Sequence, residues 1–242
     1  LASLANPAAL WAAPPNVVFI LADDLGYGDL KAYNPKSKIP TPHLDRLANE
    51  GLVFTDAHSG GSTCVPSRHA LITGRFAARR DRLNWKAGPL IGANQLTVAS
   101  VLRDQGYRTA MVGKWHLGMD FPGTKGNRDW KQPVKDMPLD KGFDYFWGIP
   151  ASMNYGVLAW FEGRHAKVTP TLFTSKKPSK IAIADYRIMP PYQKTSKEAP
   201  APEESGGRKM SLKGKGLEVA RDFIDIECLD RFTTQSLKWL DG

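Results

Sequence analysis

Asn16-Val17-Val18-Phe19-Ile20-Leu21-Ala22-Asp23-Asp24 opens the folded part of the sequence and sets its reading. The unbroken apolar run suits a strand buried on both faces, as in a parallel sheet. It gives way to two carboxylates and a Gly-rich turn, Gly26-Tyr27-Gly28. Thr41-Pro42 then reads as a helix start, with Thr as N-cap and Pro in the first turn. Leu44, Leu47 and Ala48 supply an apolar stripe, Gly51 a stop, and Leu52-Val53-Phe54 a second strand.

The alternation continues. A helix is expected from near Pro66 towards Gly74, with Ala70, Leu71 and Ile72 turned inward. Another is expected over 97–105, ending at Gly106 and leading into a strand over 109–112. Strand and helix in turn argue for an α/β fold with a mostly parallel central sheet flanked by helices. Residues 121–141 read as loop. Residues 169–216 are dense in Pro, Gly, Ser and Lys and read as a loop-rich insertion. From Leu217 onward, Val219, Phe223, Ile226, Phe232, Leu237 and Leu240 suit a helix.

The bulk numbers set outer bounds. A chain of 242 residues can bury a substantial core. It has no apolar run of the about 20 residues that would cross a bilayer. Lys and Arg number 33 against 24 Asp and Glu, a net charge of +9. Such a surface suits anionic substrates, or is simply a solvated basic face. No arginine-rich helix or RNA-binding aromatic motif points to nucleic acid. Cys64 and Cys228 could pair, but nothing in their setting requires it. Residues 1–15 read as a signal-peptide remnant or a disordered N-terminus, and Ser3-Leu4-Ala5 fits a small-x-small cleavage site. Export to the periplasm or beyond is expected.

Two places carry candidate chemistry. Asp23-Asp24 falls where a buried strand meets a loop, and ligand sites in open α/β sheets lie at the carboxyl ends of strands. Adjacent carboxylates there are either a hard-cation site for Ca²⁺ or Mg²⁺ or a solvated acidic turn. Cys64-Val65-Pro66-Ser67-Arg68 follows the flexible Gly60-Gly61-Ser62-Thr63 and precedes a helix. A residue at that junction faces the anion-favouring amides of a helix N-terminus, with Arg68 one turn in as a forked donor. Cys64 is then either a nucleophile beside an anion cradle or a small buried hydrophobe. A thiolate would be a poor ligand for a hard cation held by Asp23 and Asp24. The conflict disappears if oxygen replaces the sulfur.

The segment from Cys64 to Arg75, with its C-x-P-S-R start, resembles the first signature of the type I sulfatases, in the alkaline-phosphatase-like superfamily. Val65 is bulkier than the small residue common there. Gly106-Tyr107-Arg108-Thr109-Ala110-Met111-Val112-Gly113-Lys114-Trp115-His116-Leu117-Gly118 resembles the second signature, and residues 16–26 resemble the family's opening strand and metal pair. The resemblance covers roughly residues 16–155. Residues 16–242 would then be the N-terminal part of a sulfatase catalytic domain, a fold incomplete at its C-terminus.

The resemblance implies hydrolysis of a sulfate ester with release of inorganic sulfate. Cys64 would be oxidised to formylglycine by a formylglycine-generating enzyme. Asp23, Asp24 and an oxygen of modified Cys64 would ligate a divalent ion, usually Ca²⁺, with Mg²⁺ as the alternative. Arg68 would stabilise the aldehyde hydrate, Lys114 would contact the sulfate, and His116 would hydrogen-bond the second hydroxyl. By itself, Lys114-Trp115-His116 reads as a strand end with one satisfied histidine. Ser152, in Gly148-Ile149-Pro150-Ala151-Ser152, would lie beside the sulfate, and Asn154 near a position bearing on substrate choice. His43, His58 and His69 read as structural, and His165 as part of a possible substrate loop. The expected partner is a sulfated small molecule or carbohydrate.

The family's further metal ligands, second lysine and leaving-group histidine have no match before Gly242, so a fragment of a longer protein is expected. The competing readings are a phosphoesterase or phosphonate hydrolase of the same superfamily, and an inactive truncated sulfate- or glycan-binding module.

Overall fold

The structure is a computed structural model and describes residues 14–79, 88–175, 186–189, 192 and 216–242. The expected cleavage site at Ser3-Leu4-Ala5 and most of the 169–216 insertion lie outside the described residues. The chain divides into two compact units, Leu1–Ala57 and His58–Gly242.

In the first unit, helix α1 spans Pro42–Glu50 with Thr41 as N-cap and Gly51 as C-cap, as the Thr-Pro start and Gly stop predict. The Thr41 hydroxyl donates to the Asp45 carboxylate at 3.0 Å instead of accepting from the helix amides. The two expected strands do not form. Residues 17–21 and 52–54 carry no regular structure and no ladder partners among the described residues. Val17 to Leu21 are 44–79% exposed, and Leu52 is 79% exposed. Apolar patterning selects extended backbone, but a ladder also needs a neighbouring strand to take its N–H and C=O groups. The Leu44 and Leu47 stripe is likewise exposed.

The second unit holds the core. Helix α2 spans Cys64–Thr73 and closes on Gly74, whose φ of 65° is left-handed. It starts two residues before Pro66, so Cys64 is its first residue. Val65 and His69 are its fully buried residues, while Ala70, Leu71 and Ile72 are half-buried. Helix α3 spans Val98–Asp104. Its N-terminus is a reciprocal capping box: Thr97 Oγ1 accepts from Ser100 N at 3.0 Å, and Thr97 N donates to Ser100 Oγ at 2.9 Å. Strand β1, Ala110–Lys114, follows the turn at Gly106.

The expected loop of residues 121–141 contains the hairpin β2 (Gly123–Thr124) and β3 (Asn127–Arg128), then a 3₁₀ turn at Pro138–Lys141. Strand β4, Tyr145–Ile149, pairs in parallel with β1. Short strands β5 (Val157–Leu158), β6 (Phe161–Glu162), β7 (His165–Ala166), β8 (Leu172–Thr174) and β9 (Arg187–Ile188) follow. The helix expected from Leu217 begins instead as strand β10, Leu217–Val219, and the helix proper is α4, Cys228–Leu240. All three β10 residues are buried between β5 and β8, with Leu217 and Val219 on one face and Glu218, ion-paired to Arg128, on the other.

The α/β class holds, with mixed sheets. One runs β1-β4-β6-β7, parallel at β1–β4 and antiparallel beyond. The other runs β5-β10-β8-β9, parallel at β5–β10. Aromatic packing joins them: Trp147 stacks on Trp160 at 5.3 Å, and Phe223 and Phe232 close over Trp160 at 4.9 and 6.2 Å. In the β1–β4 ladder Gly113 faces Gly148. A Cβ on Gly148 would fall 1.9 Å from the Gly113 carbonyl oxygen, so this rung admits no side chain there.

Candidate active site

The carboxyl ends of the parallel pair β1 and β4 build the site. Trp115 N donates to Ile149 O at 3.0 Å and His116 N to Pro150 O at 2.9 Å, which extends the ladder past the strands. The backbone then leaves the sheet. His116 adopts φ 59°, a left-handed conformation that histidine tolerates better than most side chains. The imidazole is only 9% exposed, with Nδ1 3.4 Å from Ser152 Oγ and the Tyr155 ring centroid 5.5 Å from its own. Trp115 anchors the segment from below, buried and donating from Nε1 to Gly118 O at 2.8 Å.

Helix α2 brings the second wall. Residues 59–61 lie against its first turns: Ser67 Oγ donates to Gly61 O at 2.7 Å and lies 3.1 Å from Ser59 Oγ. A Cβ on Gly61 would lie 2.6 Å from Pro66 Cβ and 2.8 Å from Ser67 N, so the loop can close on the helix only as glycine. Thr63 is extended at the N-cap, and Cys64 is half-buried against the hydrophobic core. Arg68, one turn along, donates from Nη1 to the Lys114 backbone oxygen at 2.5 Å. That bond ties the helix start to the end of β1. Arg68, Lys114, His116 and Ser152 are therefore linked through α2, the β1 end and the loop after β4.

The remaining sequence candidates are placed as follows. Asn154 is exposed on the turn after Ser152. His69 is buried on α2, in keeping with a structural role. His165 stands in β7 opposite Glu162, exposed on a hairpin. Cys228 is a free thiol, as is Cys64, so the two do not pair. Burial pushes the Cys228 thiol up to about 11, and its Sγ lies 3.7 Å from Met153 Sδ.

Asp23 and Asp24 belong to the first unit, where both are exposed and Asp24 has φ 62°. Their oxygens are hard donors suited to Ca²⁺ or Mg²⁺. Among the described residues no group of three or more His, Cys, Asp or Glu side chains converges. The carboxylate pair thus fits a hard cation in donor type and would supply part of its shell.

Sequence reading missed three features that shape the site. Tyr155 stands beside His116, Met153 packs on Cys228 across 75 positions of sequence, and buried Glu218 accepts from Gly126 N and Arg128 Nε, both at 2.7 Å. Each depends on a contact between distant segments, and local patterning carries no signal for it.

Helices lie against a mixed sheet, and Arg68, Lys114 and His116 meet where the parallel strands end, the place of ligand sites in open α/β sheets. The sulfatase family model matches residues 15–173, and the chain belongs to the sulfatase family. It is 39% identical over 154 residues to an N-acetylgalactosamine-6-O-sulfatase of Bacteroides thetaiotaomicron, covering 62% of this chain and 29% of that one. It is 44% identical over 148 residues to mouse arylsulfatase G, covering 60% and 26%. A solved Bacteroides thetaiotaomicron structure, described with the metabolism of multiple glycosaminoglycans, matches at TM-score 0.57 and 37% identity, covering 66% of this chain and 34% of that one. The chain thus spans less than a third of the length of these two curated relatives. No described helix is long and apolar enough to cross a membrane.

Proposed function

We propose that this chain carries the nucleophile-bearing part of an active site that hydrolyses sulfate esters, with residue 64 acting as formylglycine. The observation that carries the reading is the Arg68–Lys114 bond, which holds the helix start bearing Cys64 against the strand end bearing Lys114 and His116. A hydrated formylglycine would supply an oxygen nucleophile for sulfur, and a divalent ion, Ca²⁺ or Mg²⁺, would supply positive charge. The motif order supports Asp23, Asp24 and the residue-64 oxygen as ligands of that ion.

The chain's own residues then have distinct tasks. Arg68 presents a planar fork and Lys114 a point charge, and both stabilise the negative charge of the transferring sulfonyl group. Ser152 and Asn154 contact the substrate. For His116 to take a proton at Nε2, its Nδ1 must carry the ring hydrogen, and Ser152 Oγ is placed to accept it.

The substrate class is a sulfated carbohydrate or another small sulfate ester. A relative named as an N-acetylgalactosamine-6-O-sulfatase supports the sugar, and several named as arylsulfatases support the wider class. Maturation would need a formylglycine-generating enzyme, and the Ala- and Leu-rich start supports export to the periplasm or beyond.

Peptide mass spectrometry across residue 64 tests the reading, coupled to sulfate release from an aryl sulfate with an aryl phosphate alongside. The expected peptide has lost the mass difference between CH₂SH and CHO. An ordinary thiol in protein that still turns over sulfate esters would refute formylglycine, and preferred phosphate turnover would move the chain to the phosphoesterases.

A further inference from the structure

We infer that Tyr155 is a specificity-determining residue, whose ring forms the platform on which the cyclic alcohol of a sulfate ester lies. The inference rests on the anion cradle of Arg68, Lys114 and His116 proposed above, and adds a requirement for the leaving group.

The turn that carries Tyr155 is fixed from both sides. Tyr155 N donates to Ser152 O at 3.0 Å, so the ring is held within three residues of the group facing His116. Met153 packs on the core and meets Cys228 Sγ at the first residue of α4. The thiol is protonated at neutral pH, and burial moves its titration further up, so it stays a neutral donor to the thioether. On the other side Gly156, at φ 52°, accepts from Glu218 N through its carbonyl at 2.8 Å, and Glu218 is itself buried in an ion pair with Arg128.

On this turn Tyr155 faces two ways. Its ring lies 5.5 Å from the His116 ring at 48°, yet 37% of the residue remains exposed. A single exposed tyrosine usually needs no explanation. Here it borders the histidine that closes the anion cradle, on backbone that cannot easily swing away. An ester whose sulfate reaches Arg68 and Lys114, with its alcohol on the exposed side of the turn, would bring that alcohol against the Tyr155 ring. A pyranose C–H face or an aryl ring gains from an aromatic surface, whereas a short alkyl chain gains little. A five- to tenfold change in affinity corresponds to about 1.0–1.4 kcal/mol, the scale of an aromatic ring contact.

The test is binding, read by calorimetric or NMR titration of the full chain. The probes are inorganic sulfate, a short alkyl sulfate, a sulfated monosaccharide and an aryl sulfate. Tyr155→Leu should weaken the two cyclic esters by about five- to tenfold and leave sulfate and the alkyl ester within about twofold. Tyr155→Phe should bind all four like the parent. Equal losses on all four probes, or no loss on the cyclic esters, would overturn the platform while leaving the cradle intact. A parent chain that binds no sulfate at all would overturn the cradle and the platform with it.

Discussion

The two units handle their apolar residues in opposite ways. In residues 58–242, Trp115, Phe146, Trp160 and Phe161 are each at most 1% exposed, in the core that packs against the sheet carrying Lys114, His116 and Ser152. In residues 14–57, Phe19, Ile20, Leu47, Leu52 and Phe54 are each more than 60% exposed, and the carboxylates at 23 and 24 sit on a bend where Asp24 has φ 62°. One set of candidate residues is thus held by dense packing. The other precedes a local turn closed by the bond from Gly26 N to Asp29 Oδ2 at 2.8 Å. Preorganised charge is what makes a site effective, and preorganisation comes from supports that cannot relax.

The sharpest way to break that contrast is at residue 64. Cys64→Ala should lower sulfate-ester turnover by about 10³-fold or more, because no other described side chain can replace the nucleophile. Cys64→Ser keeps an oxygen able to attack sulfur but cannot collapse to an aldehyde. Its sulfate ester lacks the second hydroxyl through which a sulfated hydrate would collapse to aldehyde and expel sulfate. The variant should therefore accumulate protein carrying one sulfonyl group, visible by intact mass, and multiple turnover by it would disprove release by that collapse. The next largest effect is structural. Gly148→Ala drives a methyl into the Gly113 carbonyl and should cost about 3 kcal/mol or more, while Trp160→Ala should cost about 3–5 kcal/mol. Both are read from denaturant melts followed by tryptophan fluorescence.

Legibility in the sequence followed the same divide. Helix boundaries at Thr41-Pro42, Thr97 and Gly106 were readable because capping is local chemistry. Lys114 and His116 were readable from a family resemblance, and the fold then put them where parallel strands end. Leu217–Val219 misled, because a short buried strand and one turn of an apolar helix face present the same residues. Residues 17–21 misled in the opposite sense: an apolar run states a preference for burial, and only a neighbour can fulfil it. Tyr155 left no trace, since its meaning lies in the His116 ring 39 positions upstream.

Charge pairs give smaller effects. Arg164 grips Asp140 through Nη1 at 2.9 Å and Nη2 at 2.5 Å, which ties the turn before β4 to the β6–β7 hairpin. Its guanidinium holds the Asp140 carboxyl below the usual carboxylate range, more than burial pushes it up. A carboxyl depressed in the folded state adds stability above its unfolded pKa, and that stability is lost as pH falls through the folded value. With both side chains about a third exposed, the pair should be worth about 0.5–1 kcal/mol at neutral pH. Asp140→Asn should therefore shift the melt at pH 7 and approach the parent in acid. A difference that grows towards low pH would contradict the assignment.

The smallest expected effect is the most direct test of the contrast between the units. Leu52→Ser removes an apolar side chain that is 79% exposed, leaves no cavity and strands no polar group. Exposed positions of this kind change stability by within about 0.5 kcal/mol. The melting midpoint and the hydrogen exchange of residues 14–57 should then be unchanged. A loss above about 1 kcal/mol would mean that Leu52 gives up apolar contacts on substitution, since transfer of a covered leucine is worth about 1.5–3 kcal/mol. In that case the first unit holds Asp23 and Asp24 by packing too, and both carboxylates would be as rigidly supplied as Lys114 and His116.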